Sequence, residues 1–219
     1  LKYGKQAGVA GAAAFRQTPS KGATAGQQPV AGYLGQGLAN TFDPDGDVSV
    51  GTLTSPEFAL TKRYLHFLVG GGAVEGKTCV SLLVDNKEAL SATGKGAEAL
   101  EWATFDLAGL ANKKGRVQII DRATEGWGHV NADHFILSDE PVSALKLGAG
   151  NAVVSDAASV ALLADFEGKD FGAWVADPPA SAPAAACACA GGACATEKTP
   201  STYVPWYATQ FKSIQAVVD

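Results

Sequence analysis

Between residues 64 and 139 the sequence keeps returning to short β-branched and aromatic runs cut by glycine and asparagine, and helical periodicity is nowhere sustained. Such a pattern folds as extended strands joined by tight turns. In Tyr64-Leu65-His66-Phe67-Leu68-Val69, alternation puts Leu65, Phe67 and Val69 on one face and Tyr64, His66 and Leu68 on the other. Both faces are apolar enough for a central strand, which Gly70-Gly71-Gly72 ends where the chain must bend. Strands are expected over 78–84 and 88–93, joined by a hairpin turn at Asp85-Asn86-Lys87. Further strands are expected over 100–107, 116–121 and 130–137, with a short helical turn at 107–110. Strands at this spacing describe a two-sheet antiparallel sandwich.

The flanks differ in character. Residues 1–37 are rich in Gly, Ala, Gln and Pro and read as irregular chain. The expected division is a β-sandwich module over 1–141, a small-residue linker over 142–159, and a C-terminal extension over 160–219. Within that extension 160–176 is strand-like, 160–168 and 171–175 reading as partners, and 178–195 is of low complexity.

Hydrophobic content of 47% and charged content of 18% suffice for a sizeable core, and a net charge of -5 leaves no basic face for a phosphate backbone. Nucleic acid is thereby an unfavourable partner. No apolar run is long enough to cross a bilayer, because Pro178, Pro179 and Pro183 interrupt the alanine-rich tail. The chain starts at Leu1 and contains no Met, the form of a processed product, so an extracellular or cell-surface location is the expectation. Cys79 stands alone in a strand, where a small buried hydrophobe is the simple reading. Cys187, Cys189 and Cys194 crowd the tail in a spacing that is no disulfide framework and lacks a fourth metal ligand.

Several motifs carry a family likeness: Gly51-Thr52-Leu53-Thr54-Ser55-Pro56-Glu57-Phe58, the run from Tyr64 through Gly72, Gly76-Lys77-Thr78-Cys79, Leu83-Val84-Asp85, Asp121-Arg122-Ala123-Thr124, and Gly126 through His134. Over roughly 3–139 the chain resembles a β-sandwich module found beside the catalytic domain in bacterial levanase-like and β-fructosidase-like proteins of glycoside hydrolase family 32. The resemblance implies a galactose-binding-like jelly roll, an accessory module whose usual suggested role is sugar binding. It does not imply hydrolysis: that family's catalytic Trp-Met-Asn-Asp-Pro-type motif has no counterpart, and Asp43-Pro44-Asp45 lies in another context. Modules of this type look as though they begin with an Asp-Phe-Glu-Gly, Tyr-Gly, Trp pattern. Here that pattern is displaced to Asp165-Phe166-Glu167-Gly168 through Trp174, and the N-terminus keeps only Tyr3-Gly4.

Two groups of residues are candidate sites. Arg122, Trp127, His129, Asp133 and His134 gather a cation, an indole, imidazoles and a carboxylate into one segment. A sugar site would use the indole as platform and the polar groups to fix hydroxyls; a buried structural network would use the same residues. Alternation sends Asp133 and His134 to opposite faces, and does not set His129 beside His134 as metal ligands. Asp43, Asp45 and Asp47 alternate as oxygen ligands of calcium do, although Asp-Pro-Asp-Gly is equally an ordinary turn.

The leading expectation is a non-catalytic, exported module recognising a polysaccharide or cell-surface glycan. The alternative is a structural subunit of an extracellular filament, self-associating by strand exchange through Leu163, Asp165, Phe166, Phe171 and Trp174. An enzyme ranks last, since no catalytic constellation stands out in the linear order.

Overall fold

The computed structural model describes residues 14–15, 18–146 and 159–177, all within the first of two units into which the chain divides, 1–180. Tyr3, the low-complexity run 178–195 and the cysteines at 187, 189 and 194 lie outside the described residues, as does most of the expected linker.

Eleven strands are described: β1 (Ala39–Asn40), β2 (Gly51–Thr54), β3 (Phe58–Ala59), β4 (Tyr64–Gly71), β5 (Thr78–Val84), β6 (Lys87–Thr93), β7 (Ala97–Asp106), β8 (Lys114–Asp121), β9 (Val130–Ser138), β10 (Val160–Ala164) and β11 (Val175–Asp177). They form two antiparallel sheets. The first runs β1-β9-β4-β7, with β10 following β1 along the same edge of β9; the second runs β11-β2-β8-β5-β6, with β3 beside β2 on β8. From β4 onwards the chain changes sheet at almost every connection. The exceptions are β9 to β10, which pair with each other in the first sheet, and the β5–β6 hairpin, whose turn residues Asp85 and Asn86 take φ of 54° and 58°. Asp and Asn tolerate that backbone better than other side chains do.

Alternation explains which face is which. Leu65, Phe67 and Val69 of β4 meet Val80 and Leu82 of β5 and Val117 and Ile119 of β8 in one interior. Phe67 and Phe135 stack there with centroids 5.4 Å apart. β9 would lose this register after Asp133, but a bulge at His134, with φ of 51°, inserts one residue between the Leu68–Asp133 and His66–Ile136 pairs. Val130 and Ala132 therefore share the interior with Phe135 and Leu137, while Asp133 faces outward. The outer face of the first sheet is itself covered: Leu34 and Leu38 of the irregular N-terminal chain pack on Leu68 and Leu100 in a second small core.

The segment after the linker does not behave as expected in one respect. β10 and β11 are not partners of each other; β10 pairs with β9 in the first sheet and β11 with β2 in the second, both within the same chain. Phe166 between them is buried in the main core, with Leu163, Phe171 and Trp174 packed against it. The residues read as a self-association strand thus close their own sandwich, because three aromatic side chains gain more by entering the adjacent interior than by staying in water. Asp165 accepts the backbone N–H of Glu167 and turns the chain there.

Candidate functional site

At one end of the first sheet a set of polar side chains converges from distant parts of the chain. Alternation from the start of β9 puts His129, Asn131 and Asp133 on its outer face, and alternation along β7 puts Glu98 on the side that carries Leu100 and Trp102. Glu98 Oε2 accepts from Gln27 Nε2 at 2.9 Å, from Asn131 Nδ2 at 2.8 Å and from His129 Nε2 at 3.2 Å. His129 Nδ1 lies 2.7 Å from Asp47 Oδ1. Gln27 and Asn40 complete the set, Asn40 Nδ2 donating to Gln27 Oε1 at 2.8 Å.

The imidazole is buried, at 2% exposure. Burial is the largest single influence on it and lowers its pKa, but hydrogen bonds and attraction from Asp47 and Glu98 together outweigh it and raise the pKa to about 9. His129 is accordingly an imidazolium held between two carboxylates at neutral pH.

Trp127 lies over this group. Its φ of 64° turns the chain sharply, its backbone N–H donates to Asp47 Oδ2 at 3.2 Å, and its indole stacks on the His129 ring at 5.7 Å with an interplanar angle of 24°. Phe42 meets the same imidazole edge-on at 5.1 Å. The indole is half-buried, so one face has an imidazolium behind it, an arrangement favoured by cation–π attraction.

The other residues expected here are placed elsewhere. Arg122 is exposed, and its backbone N–H donates to Lys77 O. Asp133 shares a face with His129 but is fully buried under the N-terminal chain, accepting from Leu34 N at 2.9 Å and His134 N at 2.7 Å. Burial pushes its carboxyl pKa up. The bulge also overrides the alternation expected of Asp133 and His134: His134 Nδ1 comes within 3.5 Å of Asp133 Oδ2, without the alignment of a hydrogen bond. Of the three alternating aspartates, Asp43 accepts from the Ser20 hydroxyl, Asp45 is exposed, and Asp47 is taken up by His129 and Trp127. Among the described residues no group of three or more His, Cys, Asp or Glu side chains is arranged to hold a metal ion.

Asp121, at the end of β8, is fully buried with Oδ2 lacking a hydrogen-bond partner among the described residues. Burial raises its pKa to about 7 against the pull of the Thr41 side chain and the Ala123 N–H. Glu98 and Asp121 were not singled out from sequence. Extending the Leu100–Trp102 face back by two residues would have flagged Glu98 as a carboxylate on an apolar face.

A second concavity, of about 430 Å³, lies on the outer face of the second sheet. Thr52 and Thr54 of β2, Arg116 and Gln118 of β8, Asn86 of the hairpin turn and Asp177 of β11 supply its polar lining, with Pro56, Leu83 and Val175 as apolar walls.

No family model matches the chain, and no solved structure matches it. A protein of Aspergillus rugulosus named Putative glycosyl hydrolase ecdE is 39% identical over 122 residues, which make up 56% of this chain and 17% of that relative. The chain is thus similar to a minor part of a protein named for glycosyl hydrolysis.

Proposed function

We propose that this sandwich is a non-catalytic, exported carbohydrate-binding module of the galactose-binding-like kind that accompanies family 32 glycoside hydrolases, with Trp127 as the platform for a sugar ring. The observation that carries the reading is the indole of Trp127, half-buried and stacked on the imidazolium of His129. An indole fixed from behind offers an apolar face to the C–H side of a sugar with little ordering left to be done on binding. The acid–base groups beneath it are committed to one another: both His129 nitrogens face carboxylates, and Glu98 Oε2 accepts three donors. That closure favours a structural role for them over proton transfer to a substrate. Similarity to a protein named as a glycosyl hydrolase supports a carbohydrate-related role for the module.

Affinity electrophoresis in gels containing levan or inulin tests the reading. The expected result is retardation of the wild-type chain and its loss in W127A, by about tenfold in affinity. Equal mobility in gels with and without glycan, or retardation that W127A leaves intact, refutes it.

A further inference from the structure

We propose that the concavity on the outer face of the second sheet is a separate binding site for a short linear glycan carrying a carboxylate at one end. It shares no residue with the Trp127 group and does not depend on that group binding sugar.

The two sheets treat their outer faces differently. On the first, Leu68 and Leu100 point outward and the chain covers them with Leu34 and Leu38. On the second, Leu53, Val117 and Ile119 point into the core, so Thr52, Thr54, Arg116 and Gln118 project outward by alternation. All four are half-buried, and the adjoining edge strand β11 presents Val175 and Asp177 on the same face. A solvated sheet face would also be polar. This face also holds a hollow, open to solvent, of about 430 Å³, a volume within the size range of small-ligand sites.

The lining specifies the ligand. Hydroxyls and amides dominate the middle: Gln118 Nε2 donates to Thr54 Oγ1 at 3.0 Å, and Thr52 Oγ1 donates to Asp177 O at 3.4 Å. Such groups exchange hydrogen bonds with sugar hydroxyls, and the apolar walls accept ring C–H surface.

Charge separates the two ends. Glu57 lies between two cations, 3.2 Å from Lys114 Nζ and 3.7 Å from Arg116 Nη2. One carboxylate facing two cations leaves an excess positive charge, and 3.7 Å is too long to consume a guanidinium N–H. Among the described residues Arg116 therefore retains a fork suited to a carboxylate. Asp177 pairs with Thr52, which pairs with Ile120, four residues along β8 from Arg116. Strand geometry then places the Arg116 and Asp177 backbones about 16 Å apart. A carboxylate is attracted at the Arg116 end and repelled at the Asp177 end, where hydroxyl donors are preferred. A linear oligosaccharide with one terminal hexuronate meets both conditions.

Titration of the full chain with terminally glucuronylated trisaccharides of glucose and of xylose, each beside its neutral methyl ester, tests this. The acid is expected to bind about tenfold more tightly than the ester, with backbone amide shifts centred on β2 and β8. R116Q is expected to reduce acid binding to the level of the ester, and W127A to leave it unchanged. The proposal is overturned if neither acid binds, if acid and ester bind alike, if R116Q changes nothing, or if the shifts centre on Trp127 and W127A abolishes them. Failure of levan or inulin retardation bears on the Trp127 platform alone, so the two readings fall separately.

Discussion

His129 Nδ1 lies 2.7 Å from Asp47 Oδ1, and the contact joins a turn before β2 to the start of β9, residues 82 positions apart. Its energetic weight depends on pH. The folded pKa of about 9 stands above the ordinary value of 6.5, so the folded state holds the proton more tightly. The stabilisation is complete below pH 6.5 and is lost as pH rises through 9. Its size is about 3 kcal/mol. Urea midpoints of the wild-type chain should fall between those pH values, and H129Q should show a flatter profile. A wild-type profile as flat as that of H129Q would mean that the imidazole does not stay charged.

Asp121 adds a second window, further to the acid side. Its pKa rises from 3.8 to about 7 because burial disfavours the charge. A raised carboxyl pKa has the same sign: its contribution is complete below pH 3.8 and lost as pH rises through 7. The order of magnitude is about 4 kcal/mol. D121N, neutral at every pH, should remove the decline between about pH 4 and 7 while leaving the later one due to His129. A D121N profile that still falls across the acid window would assign that fall to another group.

Much of the fold was legible because it rests on local sequence pattern. The β4, β5, β8 and β9 strands follow from short β-branched and aromatic runs bounded by turn residues, and the β5–β6 turn from Asp85 and Asn86. The site was legible only in part. Trp127 and His129 are neighbours in sequence, and the structure keeps them together. The burial of Asp133 could not be read in advance, because the chain that covers it, around Leu34, is 99 residues away and has no periodicity to betray its path. The bulge at His134 has no sequence signature either, since a non-glycine residue with positive φ is held there by tertiary contacts. Glu98 and Asn40 reach the site through sheet pairing and loop placement, which linear order does not encode.

Gly72 should tolerate no side chain. A Cβ there would lie 2.1 Å from Trp127 O and 2.7 Å from Thr78 Oγ1, so the loop carrying the indole would have to move. Gly126 sits in the same loop, where an added Cβ would meet nothing within 4 Å and φ is not positive. G72A should cost about 1–3 kcal/mol by overpacking, and G126A less than about 0.5 kcal/mol. Thermal midpoints of the two variants measure the difference. The expected accompaniment in G72A is loss of near-ultraviolet ellipticity from the displaced Trp127; equal midpoints for the two would show that the loop yields at no cost.

Phe166 decides how the C-terminal segment is used. It takes φ of 52°, is 5% exposed, and meets Phe135 at 6.0 Å, Phe171 at 5.5 Å and Trp174 at 5.4 Å. The next residue fixes it: Glu167 Oε1 accepts the backbone N–H groups of Gln36 and Gly37 at 2.7 and 2.8 Å. Emptying this position removes transfer free energy and leaves a cavity, so F166A should cost about 3–5 kcal/mol. Pairing within one chain makes that loss unimolecular. The denaturation midpoint of the wild-type chain and the F166A difference should both be independent of protein concentration, and light scattering should give the mass of a single chain. A midpoint that rises with concentration in the wild-type chain but not in F166A would place the segment in a neighbouring sandwich, since any contact between folded chains ties folding to association and only loss of the dependence in F166A assigns it here.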